Sequence, residues 1–398
     1  MKYKITYGKS VHGNKEIQAV VKTLKHSTAM GNNVLKFEKK IAKLFNKKYC
    51  VMVNSGTSAL MLLAEILKLK KGDEFLTPIV TFPSTVVPFI KKGLVPKFID
   101  VDLYSLQIDL EKLKKNITKK TKAIIIPNLI GNIPDWKKIK SFVKKKKIIL
   151  IEDSADTLGY KINSKANGVT EFSITSFYGS HIINCAGTGG ALMLNDKKLF
   201  LKAKVLRSWG RLSSILKEDN LKDRFNYKIN GIDYDKKFVF SEMGFNIEPS
   251  EVGASFGLIQ LSKLGENIKI RQKNLKMHLN FFKKFKDLFY LPIVKQNHNT
   301  GLLAFPIIIK ENAKFTRKEF QIYLEKNKIQ TRPIFTGNIL YHPGFKNFKY
   351  RLGEKFFKNA HIISKNGILL GLHQGLKAQD IAFIHKKVLN FLKSRRKN

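Results

Sequence analysis

Cysteine is nearly missing: Cys50 and Cys185 are the only two among 398 residues. They cannot build a disulfide framework, and one chain with two thiols cannot supply the four of an all-cysteine iron–sulfur cluster. Both are expected to be reduced thiols of a cytoplasmic protein. Long apolar runs are missing too. No stretch reaches the ~18 residues of a membrane span, and the opening MKYKITYGKSVHGNKEI lacks the apolar core of a secretory signal. No membrane partner is expected. Acidic residues are scarce, 30 against 74 Lys and Arg, for a net charge of +44. Arginine is scarce within that excess, at 9 residues. Nucleic-acid binders cluster their charge and favour arginine forks. Here lysine is spread along the whole chain, and KKKK at 144–147 reads as solvated surface. No nucleic-acid partner is expected, although the charge would draw in a small anionic substrate.

What is present is a recurring strand-then-helix texture. CVMVN (50–54), EFLTPIV, VPKFIDVD, KAIIIPNLIG, KIILIEDSAD and ALMLND are short apolar runs, and helical patterns such as ALMLLAEILKL separate several of them. Continuous apolar strands spaced by helices imply a mainly parallel sheet covered on both faces, an α/β fold. Ligands in such sheets sit beyond the carboxyl ends of the strands. That points to loops 54–58, 77–85, 127–132, 153–159 and 176–190. From about residue 262 the texture shifts to long lysine-rich helices with strand-like LLAFPIII (302–309) and IQTRPIF (329–335). The reading is a large domain over 1–261, with an N-terminal arm, and a small α+β domain over 262–398.

Three stretches could carry chemistry. Asn54-Ser55-Gly56-Thr57-Ser58 joins a strand to a helix; free amides at a helix N-terminus hold phosphate, while Ser and Thr there also serve as ordinary caps. Glu152-Asp153-Ser154-Ala155-Asp156 places acids at a strand end, where a protonated pyridine nitrogen, Mg²⁺ or nucleotide phosphate chemistry would each suit. Phe82 could stack on a planar ring or fill the core.

Taken together and in order, these stretches resemble the DegT/DnrJ/EryC1/StrS family over nearly the whole chain. The matching segments are GNNVLKFEKKIAKLFNKKYCVMVNSGTSALMLL, DEFLTPIVTFPST, IEDSAD, TSF and GFNIEPSEVGASFGLIQLSKL. The resemblance implies the aspartate aminotransferase-like fold type I and pyridoxal or pyridoxamine phosphate as cofactor. It implies that Phe82 stacks on the ring and Asp153 pairs with its nitrogen. Gly56, Thr57 and Ser176 would bind the phosphate, with Asn246 reaching over from the other subunit of a homodimer with shared sites. Asp156 is carried over as a cofactor-site residue.

One position departs from the family's aminotransferases. The residue matching their Schiff-base lysine is His181, in a chain with 65 lysines. Imidazole cannot hold the cofactor covalently, but it can act as a base near neutral pH. The substitution, Asp156, RSWGRLSS (207–214) and TRPIFTGNILYHPGF (331–345) resemble the family's 3-dehydratases of nucleotide-linked 4-keto-6-deoxy sugars. The implied reaction is loss of the C3 hydroxyl, with glutamate renewing the pyridoxamine form and leaving as 2-oxoglutarate. Arg211 and Arg332 are candidate substrate-binding residues; no metal site is expected. One branch of these dehydratases uses a [2Fe–2S] cluster and a reductase, with cysteines after W-G-R. Here that stretch reads Leu212-Ser213-Ser214-Ile215, so no cluster is expected. Reductase-driven dehydration and an aminotransferase-like pseudoenzyme remain the alternatives.

Overall fold

The structure, a computed structural model, describes residues 3–166, 168–215, 221–295 and 297–396. The first half of the chain lays down β1 (Tyr49–Val53), β2 (Glu74–Pro78), β3 (Val95–Ile99), β4 (Thr121–Pro127), β5 (Ile149–Asp153), β6 (Phe172–Ser176) and β7 (Gly190–Leu194). The second half adds β8 (Phe289–Tyr290), β9 (Phe305–Ile309), β10 (Arg332–Pro333), β11 (Arg351–Leu352) and β12 (Gly367–Leu370). The large sheet runs β1-β7-β6-β5-β4-β2-β3-β11. Its β6-β5-β4-β2-β3 centre is parallel, and β7 runs antiparallel between β1 and β6. Each of the apolar runs anticipated in the first two hundred residues is a strand. In β4, Ala123, Ile124, Ile125 and Ile126 are all fully buried, as a parallel strand covered on both faces requires.

A second, four-stranded sheet, β8-β9-β12-β10, has its own apolar core around Phe282, Phe305, Phe320 and Phe391. The two halves of the chain interleave. Ile5 bridges to Ile329 and sits in the second core, whereas β11 from the C-terminal half adds a parallel edge to β3. IQTRPIF yields only the two-residue β10.

Seven helices matter for the site: α1 (Asn14–His26), α2 (Asn32–Leu44), α3 (Gly56–Ile66), α4 (Pro83–Lys91), α5 (Lys197–Arg207), α6 (Glu251–Ser262) and α7 (Leu264–Phe282). Helix α3 is apolar nearly all round, with Ala59, Leu60, Leu62, Leu63, Ala64 and Ile66 buried. Such a helix must be enclosed, and its N-terminus is thereby fixed beside the sheet. Helix α2 begins without a side-chain cap of its own. Glu251 supplies one from α6, accepting from the amides of Gly31 (2.9 Å), Asn33 (2.7 Å) and Val34 (3.2 Å). A carboxylate suits that end of the helix dipole.

Glu38 of α2 and Arg207 of α5 form a buried ion pair (2.8 Å) that also grips β1: Met52 N donates to Glu38 (2.7 Å) and Arg207 donates to Met52 O (2.9 Å). Removing one charge strands the other in the core. Arg207→Leu is expected to cost about 3–5 kcal/mol in urea unfolding. Adding Glu38→Met should recover most of that loss, and a double-mutant cycle reads the coupling.

Candidate active site

The five loops singled out from the strand ends converge on one cleft of about 500 Å³, lined by Ser55, Gly56 and Thr57, by Phe82, Ser84 and Thr85, by Leu129, by Asp153 and Asp156, and by Ser176 and His181. Tyr7, Leu303 and Phe335 close its other sides.

At the base of the cleft, Ser55 caps α3 by accepting from Ser58 N (3.0 Å). The first-turn amides of Gly56 and Thr57 have no intrahelical partner, by helix geometry, and could receive an anion. Ser176 closes against them: a Cβ at Gly56 would lie 2.9 Å from Ser176 Cβ. Gly190 is required more sternly, since a Cβ there would sit 2.3 Å from the Ser55 carbonyl. The Gly-rich run after His181 thus lets β7 pass against the start of α3.

The acids of IEDSAD separate by strand alternation. Glu152 points away from the cleft into a buried network, accepting from Asn128 Nδ2 (2.7 Å), Ser173 Oγ (2.9 Å) and the Tyr160 hydroxyl. Asp153 points into the cleft. It is buried, accepts from Thr85 Oγ1 (2.7 Å) and Ala155 N (3.1 Å), and makes no ion pair among the described residues. Burial pushes its carboxyl up to about 6. Asp156, accepting from Ile130 N (2.8 Å), is pushed up to about 7 by enclosure.

His181 lies on the cleft wall, its Nδ1 3.2 Å from Ser176 O. That carbonyl can only accept, so Nδ1 carries the proton and Nε2 keeps its lone pair. Burial, with the Arg271 cation adding to it, lowers the imidazole to about 4; the ring is neutral and a proton acceptor at pH 7. Phe82 stands 54% exposed at the rim, edge-on to Phe335 at 5.9 Å.

Three expected site residues lie outside this chain's cleft. Asn246 is exposed and bridges Ser208. Arg211 covers the Trp209 ring at 4.3 Å. Arg332 is exposed and donates to Thr331 O. Among the described residues no cluster of three or more His, Cys, Asp or Glu could hold a metal, and no helix is long and apolar enough to cross a membrane. Cys50 and Cys185 are buried in the core. Tyr7, Thr85, Tyr178 and Phe335 line the cleft without having been singled out. Thr85 and Tyr178 fall in loops pointed to by the strand ends, and Phe335 in the TRPIFTGNILYHPGF stretch; Tyr7 carried no signal.

The donor set fits pyridoxal phosphate. A buried carboxylate makes no ion pair among the described residues, a helix N-terminus and a serine line the same cleft, and an aromatic stands at its rim. Fold and cleft define a pyridoxal phosphate enzyme of the aminotransferase type. The chain belongs to the DegT/DnrJ/EryC1/StrS aminotransferase family, whose sequence profile matches residues 11–389. It is 33% identical over 358 residues to GDP-4-keto-6-deoxy-D-mannose 3-dehydratase of Escherichia coli O55:H7, covering 87% of this chain and 89% of that one. It is 29% identical over 377 residues to dTDP-4-dehydro-2,6-dideoxy-D-glucose 3-dehydratase of Saccharopolyspora spinosa, covering 92% and 81%. A solved structure of GDP-4-keto-6-deoxymannose-3-dehydratase with a trapped PLP-glutamate geminal diamine superposes with a TM-score of 0.87 at 31% identity, covering 96% of this chain and all of that one.

Asp153 yields a prediction with a definite sign. Its carboxyl is raised on folding, so the charged form lowers stability as pH climbs through about 6, and nothing is lost below pH 4. In the cofactor-free protein, Asp153→Asn should gain about 2–3 kcal/mol over wild type at pH 8 and nothing at pH 4. Urea unfolding at both pH values measures this. The same variant should bind pyridoxamine phosphate at least tenfold more weakly.

Proposed function

We propose that this chain removes the C3 hydroxyl of a nucleotide-linked 4-keto-6-deoxyhexose, using pyridoxamine phosphate that glutamate renews. The single observation that carries the reading is His181: a neutral imidazole stands in the cleft of a pyridoxal phosphate fold where a lysine would tether the cofactor. When bound, the cofactor supplies an amine to the sugar's ketone and a protonated ring that takes up electron density.

The chain's own residues bind, orient and move protons. Gly56 and Thr57 amides and the Ser176 hydroxyl hold the phosphate. Asp153, an acceptor with no ion pair among the described residues, keeps the ring nitrogen protonated. Phe82 fixes the plane of the ring. His181 Nε2 takes up one proton and hands one to the departing C3 oxygen, while Nδ1 stays on Ser176 O and holds the ring in that tautomer. A positioned general acid–base group contributes about 10²–10⁴-fold. Asp156, pushed up to about 7, adds a second group able to exchange a proton near neutrality. The two relatives named above act on sugars carried by different nucleotides. The glutamate adduct of the solved neighbour and the scarcity of cysteine support glutamate, rather than a cluster and reductase, as the source of reducing equivalents.

We further infer a homodimer with shared sites. Asn246, with Arg211 on the same excursion, faces outward, and that excursion exposes Trp209, Phe238, Phe240 and Met243, the last at 97%. Exposed large apolar side chains gathered on one excursion call for a partner.

The test is to incubate the protein with pyridoxamine phosphate, glutamate and GDP-4-keto-6-deoxymannose, with CDP- and dTDP-linked 4-keto-6-deoxyglucose in parallel. The expected product from one of them is a 3-deoxy-4-keto sugar, with one 2-oxoglutarate and one ammonia released per turnover. His181→Asn should lose at least 10²-fold in rate while retaining cofactor affinity. A 4-amino sugar as product would instead make the chain an aminotransferase, and turnover that needs an added reductant would exclude glutamate.

A further inference from the structure

Arg271, on α7, is 0% exposed, yet it pairs with no carboxylate among the described residues. A guanidinium taken out of water is costly unless its donors are met, and an apolar residue would pack α7 more cheaply. Its donors go to backbone and amide oxygens instead. Nη1 donates to Leu302 O (2.8 Å) and Leu303 O (2.9 Å), and Nε to Gln374 Oε1 (2.8 Å). Nη2 has no hydrogen-bond partner among the described residues.

Both branches of this contact end at the cleft. On one side, Gln374 Nε2 donates to Ile182 O (3.1 Å), the carbonyl directly after His181. Asn267, one helical turn before Arg271, donates to the same oxygen (3.1 Å). On the other side, Leu303 N donates to Ile130 O (2.8 Å), and Ile130 N donates to Asp156 Oδ2 (2.8 Å). Ile130 is held at φ 59°, a left-handed conformation that a β-branched residue adopts only when its surroundings over-determine it. Its two backbone hydrogen bonds are that constraint.

We propose that Arg271 and Gln374 are positioning residues: one buried guanidinium ties the His181 loop to the Asp156 loop, so that the second half of the chain sets the geometry of both groups. The proposal rests on the reading above for the proton transfer that His181 performs. Arg271 also acts through its charge. The groups around His181 are Tyr7 on the N-terminal arm, Asp153 and Asp156 at the end of β5, Tyr178 in its own loop, and Arg271 with neighbouring His373 from the second half. Arg271 is the cation that adds to burial in lowering His181, and the same charge lowers His373.

Two substitutions at Gln374 separate the effects without touching the cleft lining. Gln374→Glu keeps an acceptor for Arg271 Nε, removes the donor to Ile182 O and neutralises the cation. Gln374→Met removes both hydrogen bonds and leaves the charge. The first readout is the titration midpoint of the His181 ring in cofactor-free protein, followed by NMR of ¹⁵N-histidine and assigned with His181→Asn. Gln374→Glu should raise that midpoint, and Gln374→Met should leave it in place. The second readout is turnover: kcat should fall at least tenfold in both variants, with cofactor affinity within twofold of wild type. An unchanged midpoint and unchanged kcat in Gln374→Glu would overturn the proposal. So would a kcat loss matched by equal losses of cofactor affinity and thermal stability, which would make Arg271 cement alone. If the midpoint moves but wild type dehydrates none of the nucleotide sugars, the charge coupling between Arg271 and His181 stands and the functional reading fails.

Discussion

The site is organised around one unmet electrostatic demand. Asp153 is a carboxylate at the end of a central parallel strand, buried, with two hydrogen bonds and no ion pair among the described residues. A charge in that position is unfavourable until something cationic arrives. The rest of the cleft is arranged at fixed distances from it. Thr85 on α4 orients one carboxylate oxygen, and α3 presents its amides beside Ser176. The hydrophobic enclosure of α3 and the buried Glu38–Arg207 pair keep those amides still. Stability is surrendered at Asp153 and recovered in the surrounding core, as is common where a site is pre-organised.

His181 changes what such a site does. A lysine there would hold the cofactor covalently and exchange amines. A neutral imidazole with Nδ1 on a backbone carbonyl leaves the Nε2 lone pair free on a ring that lines the cleft. The low affinity for protons that burial imposes keeps it an acceptor across neutral pH. Bound phosphates would oppose that shift, since an anion favours the charged ring. The ring is therefore suited to taking up a proton transiently.

Much of this was legible in the sequence, for physical reasons. Parallel strands buried on both faces are written as unbroken apolar runs, so β1 to β5 and β7 were visible, and the rule that ligands sit beyond the strand ends located all five loops of the cleft. His181 stood out because compositional drift towards lysine runs the other way. Adjacent acids were harder. Glu152 and Asp153 look alike in sequence, and strand alternation sends them to opposite faces. Tyr7 and Arg271 were not legible, because each reaches the site through tertiary packing and not through a local pattern. The two-residue β10 illustrates the reverse case: IQTRPIF has strand-like composition, but Pro333 offers no amide to extend the ladder. Asn246, Arg211 and Arg332 were chosen by resemblance, and none of the three lines the cleft of this chain.

The central claim is that the cofactor is held without a covalent bond, by Asp153 and the α3 amides, beside a histidine base. The most direct measurement is to load the protein with pyridoxal phosphate, reduce it with borohydride and map the peptides by mass spectrometry. The account predicts that none of the 65 lysines carries a stoichiometric phosphopyridoxyl group. Quantitative labelling of a single lysine would contradict it and would make the chain a tethered-cofactor aminotransferase.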